Sequence, residues 1–426
     1  MTQLRKVTAR TRPDPAATTE SRPPAAVVAV RRIFASETPN FFLLLGTTLF
    51  LVIFGLVMVL SSSSIESHLA TDSFFTAFLK QGLYALVGIP LMLLASRMRV
   101  AFWKRMARPA IVIAIGLQLL VFSPLSYSYG GNQNWITLAP GVNLQPSEFA
   151  KLALIVWIAF VFARVDAQTT DWMRYFVPIG TAALVSIGLV LVGKDLGTAV
   201  IMLSIVFGSF YFAGVKLRYL LTSGAVVAVL GVMFAFASDS RTNRINVWLY
   251  GCAEKDYIGD CWQQTHGTWA LAAGGIFGVG LGNSKAKWSW LPEADNDYIF
   301  AIIGEELGLI GAIVVLILFV VLAISFVRII RASQDPFARS VSTGVMVWII
   351  GQALVNIAVV LGVLPVLGVP LPLISAGGSA LISSLIAIGV VLSFARQPAN
   401  AIERASGDDP AERSRRAAAQ RLRPQS

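Results

Sequence analysis

The stretch WSWLPEADNDYIFAIIGEELGLIG, residues 288–311, runs from an acidic segment directly into an apolar helix. Three acids, Glu293, Asp295 and Asp297, precede the apolar run, which carries two more acids of its own. Carboxylates at or inside a membrane boundary are costly, and they persist mainly where they have a function. The stretch therefore predicts a membrane-spanning helix with a functional carboxylate at its start, and Asp297 is the leading candidate.

The composition extends this prediction to the whole chain. The 426 residues are 56% hydrophobic and only 13% charged, whereas about 25% of the residues in ordinary soluble domains are charged. Apolar runs long enough to cross a bilayer recur from residue 41 to residue 395. The runs are continuous rather than alternating, which disfavours a β-barrel. The predicted fold is an all-α polytopic membrane protein.

Ten transmembrane helices are predicted, with a long extracytoplasmic loop at 238–296 between the seventh and the eighth. The predicted spans are 41–61, 76–96, 108–123, 148–165, 176–193, 198–215, 219–237, 297–327, 340–362 and 379–395.

The basic residues predict the orientation of these spans. Loop 97–107 contains four Arg or Lys residues, whereas loops 124–147 and 363–378 contain none. Short cytoplasmic loops carry an excess of Arg and Lys. The pattern therefore places both termini in the cytoplasm and places loops 124–147, 238–296 and 363–378 outside.

The two ends of the chain are predicted to be disordered basic cytoplasmic tails, residues 1–40 and 397–426, on either side of a membrane domain at 41–396. Both are polar and rich in Arg, without apolar periodicity. The net charge of +11 is explained by topology and by contact with anionic membrane lipids, and it does not indicate nucleic acid.

The predicted outer regions contain residues that could share one cavity. Lys151 lies one turn inside a span and needs a partner or water. Asp195 is either a turn residue or a polar contact for a headgroup. Loop 363–378 contains three prolines, and such backbone is tolerated near a membrane only where it packs on protein or lines a wet cavity. Cations at this cavity suit a phosphate-bearing ligand, and a carboxylate suits a general base for a hydroxyl.

Two further features of loop 238–296 are informative. Cys252 and Cys261, the only two cysteines, are predicted to form a disulfide because an outer compartment favours the bond. The glycine run 274–282 weakly matches a phosphate-binding loop, but in a membrane protein small residues more often mark close helix packing.

Four motifs in order carry a resemblance to a known family. LQPSEFAKLAL (144–154), DLGTA (195–199), LPEADNDYIFAIIGEELGLIG (291–311) and PLPLISAGGSA (370–380) together resemble the SEDS family of shape, elongation, division and sporulation proteins, over roughly residues 41–396. The residues within these motifs are most similar to those of the division branch of the family, in an actinobacterial-like form. The resemblance implies a plasma-membrane enzyme at the division septum that polymerises lipid II into glycan strands.

The resemblance also implies roles for individual residues. The family's essential aspartate falls on Asp297, which is expected to take the proton from the acceptor GlcNAc 4-hydroxyl as undecaprenyl pyrophosphate leaves the donor with inversion. No cofactor is required, although a Mg or Mn ion could bridge Asp297 and the pyrophosphate. Substrate contacts are expected from Arg244, Lys287, Lys151, Gln263, Ser375, Gly377, Gly378 and Ser379, and structural or accessory roles from Glu305, Glu306 and Asp195.

Two other functions and several partners remain open at this point. The same residues could belong to a lipid II flippase or to a non-catalytic scaffold for division proteins. The expected partners are lipid II, membrane lipids, a class B penicillin-binding protein (the division transpeptidase FtsI) and other division proteins.

Overall fold

The computed structural model of the chain describes residues 37–129, 132–139, 142–164, 173–236, 239–252, 257, 259, 261–288 and 290–396. The predicted tail 397–426, and all but the end of the predicted tail 1–40, lie outside the described residues.

The described part of the chain contains twelve α-helices. They are α1 Pro39–Thr71, α2 Thr76–Ser96, α3 Val100–Leu119, α4 Pro146–Arg164, α5 Met173–Val192, α6 Leu196–Phe212, α7 Leu217–Phe236, α8 Asp239–Tyr250, α9 Trp262–Gly274, α10 Ile299–Ala332, α11 Pro336–Val360 and α12 Gly378–Phe394. Seven helices are long and apolar enough to cross a membrane. Three shorter apolar segments, α6, α12 and residues 217–231 of α7, bring the number to the ten predicted. The predicted polytopic helical fold is confirmed.

A small sheet in the region 124–147 was not predicted. Strands β1 Ser126–Tyr129, β2 Asn132–Ala139 and β3 Val142–Leu144 pair antiparallel in the order β1-β2-β3. The strands are short, and the longest, β2, places the apolar Trp135 and Ile136 side by side, so the sequence lacks the strict apolar–polar alternation typical of a half-buried strand.

Helix α1 extends beyond its predicted end at residue 61, through a run of four serines to Thr71. The prediction was wrong because these hydroxyls bond within the helix. Ser63 Oγ donates to the Val59 carbonyl at 2.6 Å, and Ser64 Oγ donates to the Ser61 carbonyl at 3.1 Å. A serine that binds the preceding turn satisfies its own hydroxyl without ending the helix.

Helices α4 and α11 form the centre of the bundle. In each, most of the membrane-length window is buried, 78% in α4 and 61% in α11. Helix α4 packs against α3 and α11, α12 packs against α2, and α10 packs against α1 and α11.

Helix α10 is interrupted at Gly308, whose φ of 67° and ψ of −167° are outside the helical region. The glycine run 274–282 pairs with this break. The Val279 and Gly280 amides donate to the carbonyls of Glu305 and Glu306 at 2.9 and 3.0 Å, and the amide of the residue after Gly308 donates to the Gly275 carbonyl at 2.9 Å. The glycines thus allow close backbone packing, as the helix-packing interpretation of this run predicted, rather than forming a phosphate-binding loop.

Replacing Gly308 by alanine is expected to destabilise the protein. An added Cβ would lie 2.4 Å from the Gly278 nitrogen, and backbone outside the usual regions costs other residues about 1–3 kcal/mol. Thermal unfolding of the purified protein in detergent should show a lower midpoint. Gly351→Ala is the control, because nothing lies within 4 Å of its added Cβ. Equal midpoints for the two variants would contradict this account of the break.

Candidate active site

A cavity of about 510 Å³ lies where the predicted outer regions meet. The sheet, the turn before α6, helices α8 and α9, the acidic segment 293–297 and loop 363–377 all contribute to its walls. Of the residues predicted from sequence, the cavity is lined by Asp297, Arg244, Gln263, Lys151, Asp195, Gly377, Gly378 and Ser379.

The backbone of Asp297 is fixed by hydrogen bonds from two other elements. Asn356 Nδ2 on α11 donates to the carbonyls of Asp297 and Val369, at 2.7 Å each. Ser375 Oγ donates to the Asn296 carbonyl at 2.7 Å. The acidic segment and loop 363–377 are therefore held together, which leaves the Asp297 carboxylate at the cavity wall.

The electrostatic surroundings of Asp297 favour a neutral carboxyl group. Desolvation by the surrounding protein raises its pKa to about 7, although the side chain is only partly buried because it faces the cavity. Repulsion from Glu293, Asp195 and Asp295 adds to the rise, and the Arg244 guanidinium opposes it. A carboxyl group with a pKa near 7 can exchange protons with a bound hydroxyl at physiological pH.

Asp295, two residues earlier, has a similar environment. Desolvation raises the pKa of Asp295 to about 7, and the neighbouring charges of Glu66 and Glu293 contribute to the rise. Its carbonyl accepts a hydrogen bond from the Ala376 amide at 2.8 Å. The part of the cavity wall beside Asp297 is thus acidic.

Lys151 lies in the cavity wall, but its charge is compensated. Its ammonium donates to Glu148 Oε1 at 2.8 Å and to Gln352 Oε1 at 3.0 Å, and it lies 4.7 Å from the centre of the Trp348 ring. The side chains of Lys151 and Glu148 are 1% and 3% exposed. This pair supplies the partner that a lysine inside a span needs.

Lys287 and Ser375 were expected to contact the substrate, and the structure brings neither to the cavity. The Lys287 ammonium is buried and binds the Gly282 carbonyl at 2.6 Å and Glu306 Oε1 at 3.4 Å. The fully buried Glu306 carboxylate needs a compensating charge, and Lys287 provides it. Ser375 Oγ accepts a hydrogen bond from the Leu371 amide and donates one to the Asn296 carbonyl.

Glu305 and Glu306 accept hydrogen bonds from neighbouring segments of the protein. Glu305 accepts hydrogen bonds from the amides of Lys285 and Ala286 at 2.9 and 3.3 Å and from the hydroxyl of Ser284. Glu306 accepts a hydrogen bond from Ser61 Oγ on α1 at 2.7 Å. The two carboxylates hold the turn that leads into the acidic segment.

Asp195 ends the turn before α6 and also lines the cavity, while its contact with a headgroup stays a prediction. It caps α6 by accepting from the Thr198 amide at 2.8 Å and from Thr198 Oγ1 at 2.7 Å. It also lines the cavity, where Gln145 Nε2 donates to it at 3.2 Å. Burial raises the pKa of Asp195.

Cys252 and Cys261 form a disulfide in the structure, with their Cα atoms 5.8 Å apart. The bond connects the end of α8, which carries Arg244, to the start of α9, which carries Gln263. Both of these cavity residues are therefore on helices joined by the same covalent link.

The chain matches the family described as "Cell cycle protein", which comprises FtsW, RodA and SpoVE, over residues 42–400. It belongs to this family. The resemblance to SEDS proteins is thereby confirmed.

Relatives within the FtsW/RodA/SpoVE family cover most of the chain. The "Probable peptidoglycan glycosyltransferase FtsW" of Mycobacterium tuberculosis is 38% identical over 373 residues, which is 87% of this chain and 71% of the relative. The "Stage V sporulation protein E" of Bacillus subtilis is 33% identical over 355 residues, 83% of this chain and 96% of the relative.

Among solved structures, a similar fold occurs in work titled "Structural coordination of polymerization and crosslinking by a peptidoglycan synthase complex". The TM-score is 0.68 at 24% identity, with 83% of this chain and 96% of that chain covered. At this identity the match supports the membrane fold of this family member.

Whether the acids of this FtsW/RodA/SpoVE protein could hold a metal ion depends on their arrangement. In the ranges that the structure describes, no group of three or more His, Cys, Asp or Glu residues is arranged to hold an ion. A divalent cation at Asp297 would need oxygen ligands from the phosphates of a substrate.

Sequence reasoning missed the wall that α2 provides. Lys80, Gln81 and Tyr84 line the cavity, yet they lie within an apolar span. The signal was available, because an ionisable residue inside a span indicates a function by default. That criterion identified Lys151 and applies equally to Lys80.

Removing one member of the buried Lys151–Glu148 pair is expected to destabilise the protein strongly. An uncompensated buried charge costs about 3–5 kcal/mol, so Lys151→Met should lower the thermal midpoint, and the double variant Lys151→Met/Glu148→Gln should recover part of the loss. Lys104→Met is the control. This variant breaks the 2.6 Å ion pair between Lys104 and Asp335, whose two side chains are 39% and 35% exposed, respectively. Exposed ion pairs of this kind contribute about 0.2–1 kcal/mol to the free energy of unfolding. A similar decrease for Lys104→Met would contradict the prediction.

Proposed function

We propose that this chain is a peptidoglycan glycosyltransferase of the division branch, which polymerises lipid II with Asp297 as the general base. The observation that carries the proposal is a partly buried carboxyl group at the wall of the cavity, with a pKa of about 7. The names of the relatives support the reaction class, and the cavity supports the assignment to Asp297.

The proposed reaction is a single displacement at the donor sugar. The acceptor 4-hydroxyl gives its proton to Asp297 as its oxygen forms a bond to C1 of the donor. The bond from C1 to the phosphate oxygen breaks, and the diphosphate leaves with the electron pair. Attack opposite the leaving group inverts C1. A positioned base contributes about 10²–10⁴-fold to such a step, and cations stabilise the charge that develops on the diphosphate.

The proposed setting is the division septum, with both termini in the cytoplasm and the cavity open to the outer face. The 2.6 Å pair between Lys104 and Asp335 is consistent with this orientation, because it places the start of α11 on the same side of the bundle as the basic segment 97–107. The proposed partner is a class B penicillin-binding protein, which would crosslink the strands made here. The similar fold from a complex that couples polymerisation to crosslinking supports this partner.

Purified protein reconstituted with lipid II and this partner, with the transpeptidase active site inactivated, should produce glycan polymer. Asp297→Asn should lose at least about 100-fold in rate, since it cannot accept the proton. Asp335→Asn is the matched control. It makes the same chemical change at an acid that caps α11 through the Phe337 and Ala338 amides, a position where asparagine also caps well.

The same assay separates the proposal from its alternatives. Movement of lipid II across the vesicle membrane without polymer would favour a flippase. Binding of the partner with neither activity would favour a scaffold. Full polymerisation by Asp297→Asn would contradict the role of Asp297 while leaving the reaction class intact.

A further inference from the structure

The cations at the cavity are not equivalent. Lys80, Lys151 and Arg244 line it within the described residues. The Lys151 ammonium forms an ion pair with Glu148 Oε1 at 2.8 Å. The charge of Arg244 lowers the pKa of Asp297. The Lys80 ammonium makes no hydrogen bond or ion pair with any residue that the structure describes.

The position of Lys80 is fixed by its neighbours on α2. Gln81 Nε2 donates to the Ser375 carbonyl at 3.1 Å, and Gln81 Oε1 accepts from the Gly377 amide at 3.2 Å. One turn later, the Tyr84 ring packs against Gly378, where an added Cβ would lie 2.3 Å from the ring. The backbone that carries Lys80 is therefore held against the loop before α12, while its side chain stays exposed at the cavity.

The acids near Asp297 limit where an anion can bind. The charges of Glu293 and Asp295 raise the pKa of Asp297, and the charge of Glu293 raises the pKa of Asp295, so these acids lie close together. Two like charges a few ångströms apart repel strongly inside a protein. A diphosphate is therefore disfavoured beside this acidic group and favoured at the α2 wall.

The outer face of α2 suits a prenyl chain. Leu79, Leu83 and Leu86 are 63%, 58% and 70% exposed, and their spacing places them along one side of the helix. This apolar strip begins beside Lys80. The prenyl tail of a lipid can pack along this strip within the membrane while the phosphates of the same lipid contact the Lys80 ammonium.

We propose that Lys80 binds the diphosphate of the lipid-linked donor, and that the α2 wall is the leaving-group side of the cavity. The inference rests on the proposed function and assigns the part of the cavity in which the donor diphosphate binds. Ser379 Oγ, at the same cavity, accepts a hydrogen bond from the Gln145 amide at 3.3 Å, which leaves its own proton available for a phosphate oxygen. The acceptor hydroxyl then approaches from the Asp297 side, and the two walls divide the reaction between base and leaving group.

Lys80→Gln and Lys80→Arg test this assignment in the full protein with its partner. The measurements are the KM for lipid II and the dissociation constant of undecaprenyl diphosphate, which does not require turnover. Loss of a hydrogen bond to a charged group costs about 1.5–3 kcal/mol, so Lys80→Gln should raise both constants about tenfold or more. Lys80→Arg should restore most of the affinity, because it keeps the charge.

Lys285→Gln is the matched control. Lys285 is exposed and belongs to the same long loop as the acidic segment, but it does not line the cavity. Lys285→Gln should leave both the KM for lipid II and the dissociation constant of undecaprenyl diphosphate unchanged. An equal effect of Lys285→Gln would indicate a general surface charge and would overturn the assignment.

Vesicle composition separates the two sources of phosphate. If Lys80 binds the donor, its variants behave alike in phosphatidylcholine and in phosphatidylglycerol vesicles. An effect confined to phosphatidylglycerol would indicate a headgroup contact and overturn the proposal, as would an unchanged dissociation constant for Lys80→Gln. Absence of polymer from the wild type would instead contradict the proposed function, while binding of undecaprenyl diphosphate would still decide the role of Lys80.

Discussion

One amide group on α11 supports the whole site. Asn356 Nδ2 donates to the carbonyls of Asp297 and Val369, which belong to two segments that are not helical. Inside a membrane bundle, non-helical backbone is tolerated only when protein groups or a wet cavity satisfy it. Ser375 and Gln81 satisfy further backbone groups of the same segments. These side chains make an irregular cavity wall compatible with its surroundings.

The bundle distributes its charges in two ways. Glu148 and Glu306 are buried opposite the ammonium groups of Lys151 and Lys287, at 2.8 and 3.4 Å. Such pairs are costly to break and fix the packing of the helices that carry them. Asp297 instead lies near other acids, which raise its pKa together with burial. The first arrangement stabilises structure, and the second keeps a carboxyl group with a pKa of about 7 at the cavity.

Local signals explain what could be predicted from the sequence. An acid before an apolar run identified Asp297, and the recurrence of apolar runs predicted ten helical segments. The structure places Lys287 away from the cavity, and the sequence could not show this because the direction of its side chain depends on how the turn before the acidic segment folds onto α10. The small sheet was missed because its strands are short and do not alternate regularly between apolar and polar residues. Lys80 carried the same local signal as Lys151, an ionisable residue inside an apolar span, but its place at the cavity wall depends on α2 packing against α12.

The pH dependence of kcat/KM tests most directly whether Asp297 is the base. Its pKa of about 7 predicts that the rate falls as the pH decreases through 7, approaching about tenfold per pH unit, because the protonated acid cannot accept a proton. Glu293→Gln should move this midpoint to lower pH, since the charge of Glu293 raises the pKa of Asp297. A profile that is flat through neutrality, or a midpoint that Glu293→Gln leaves unchanged, would contradict the account.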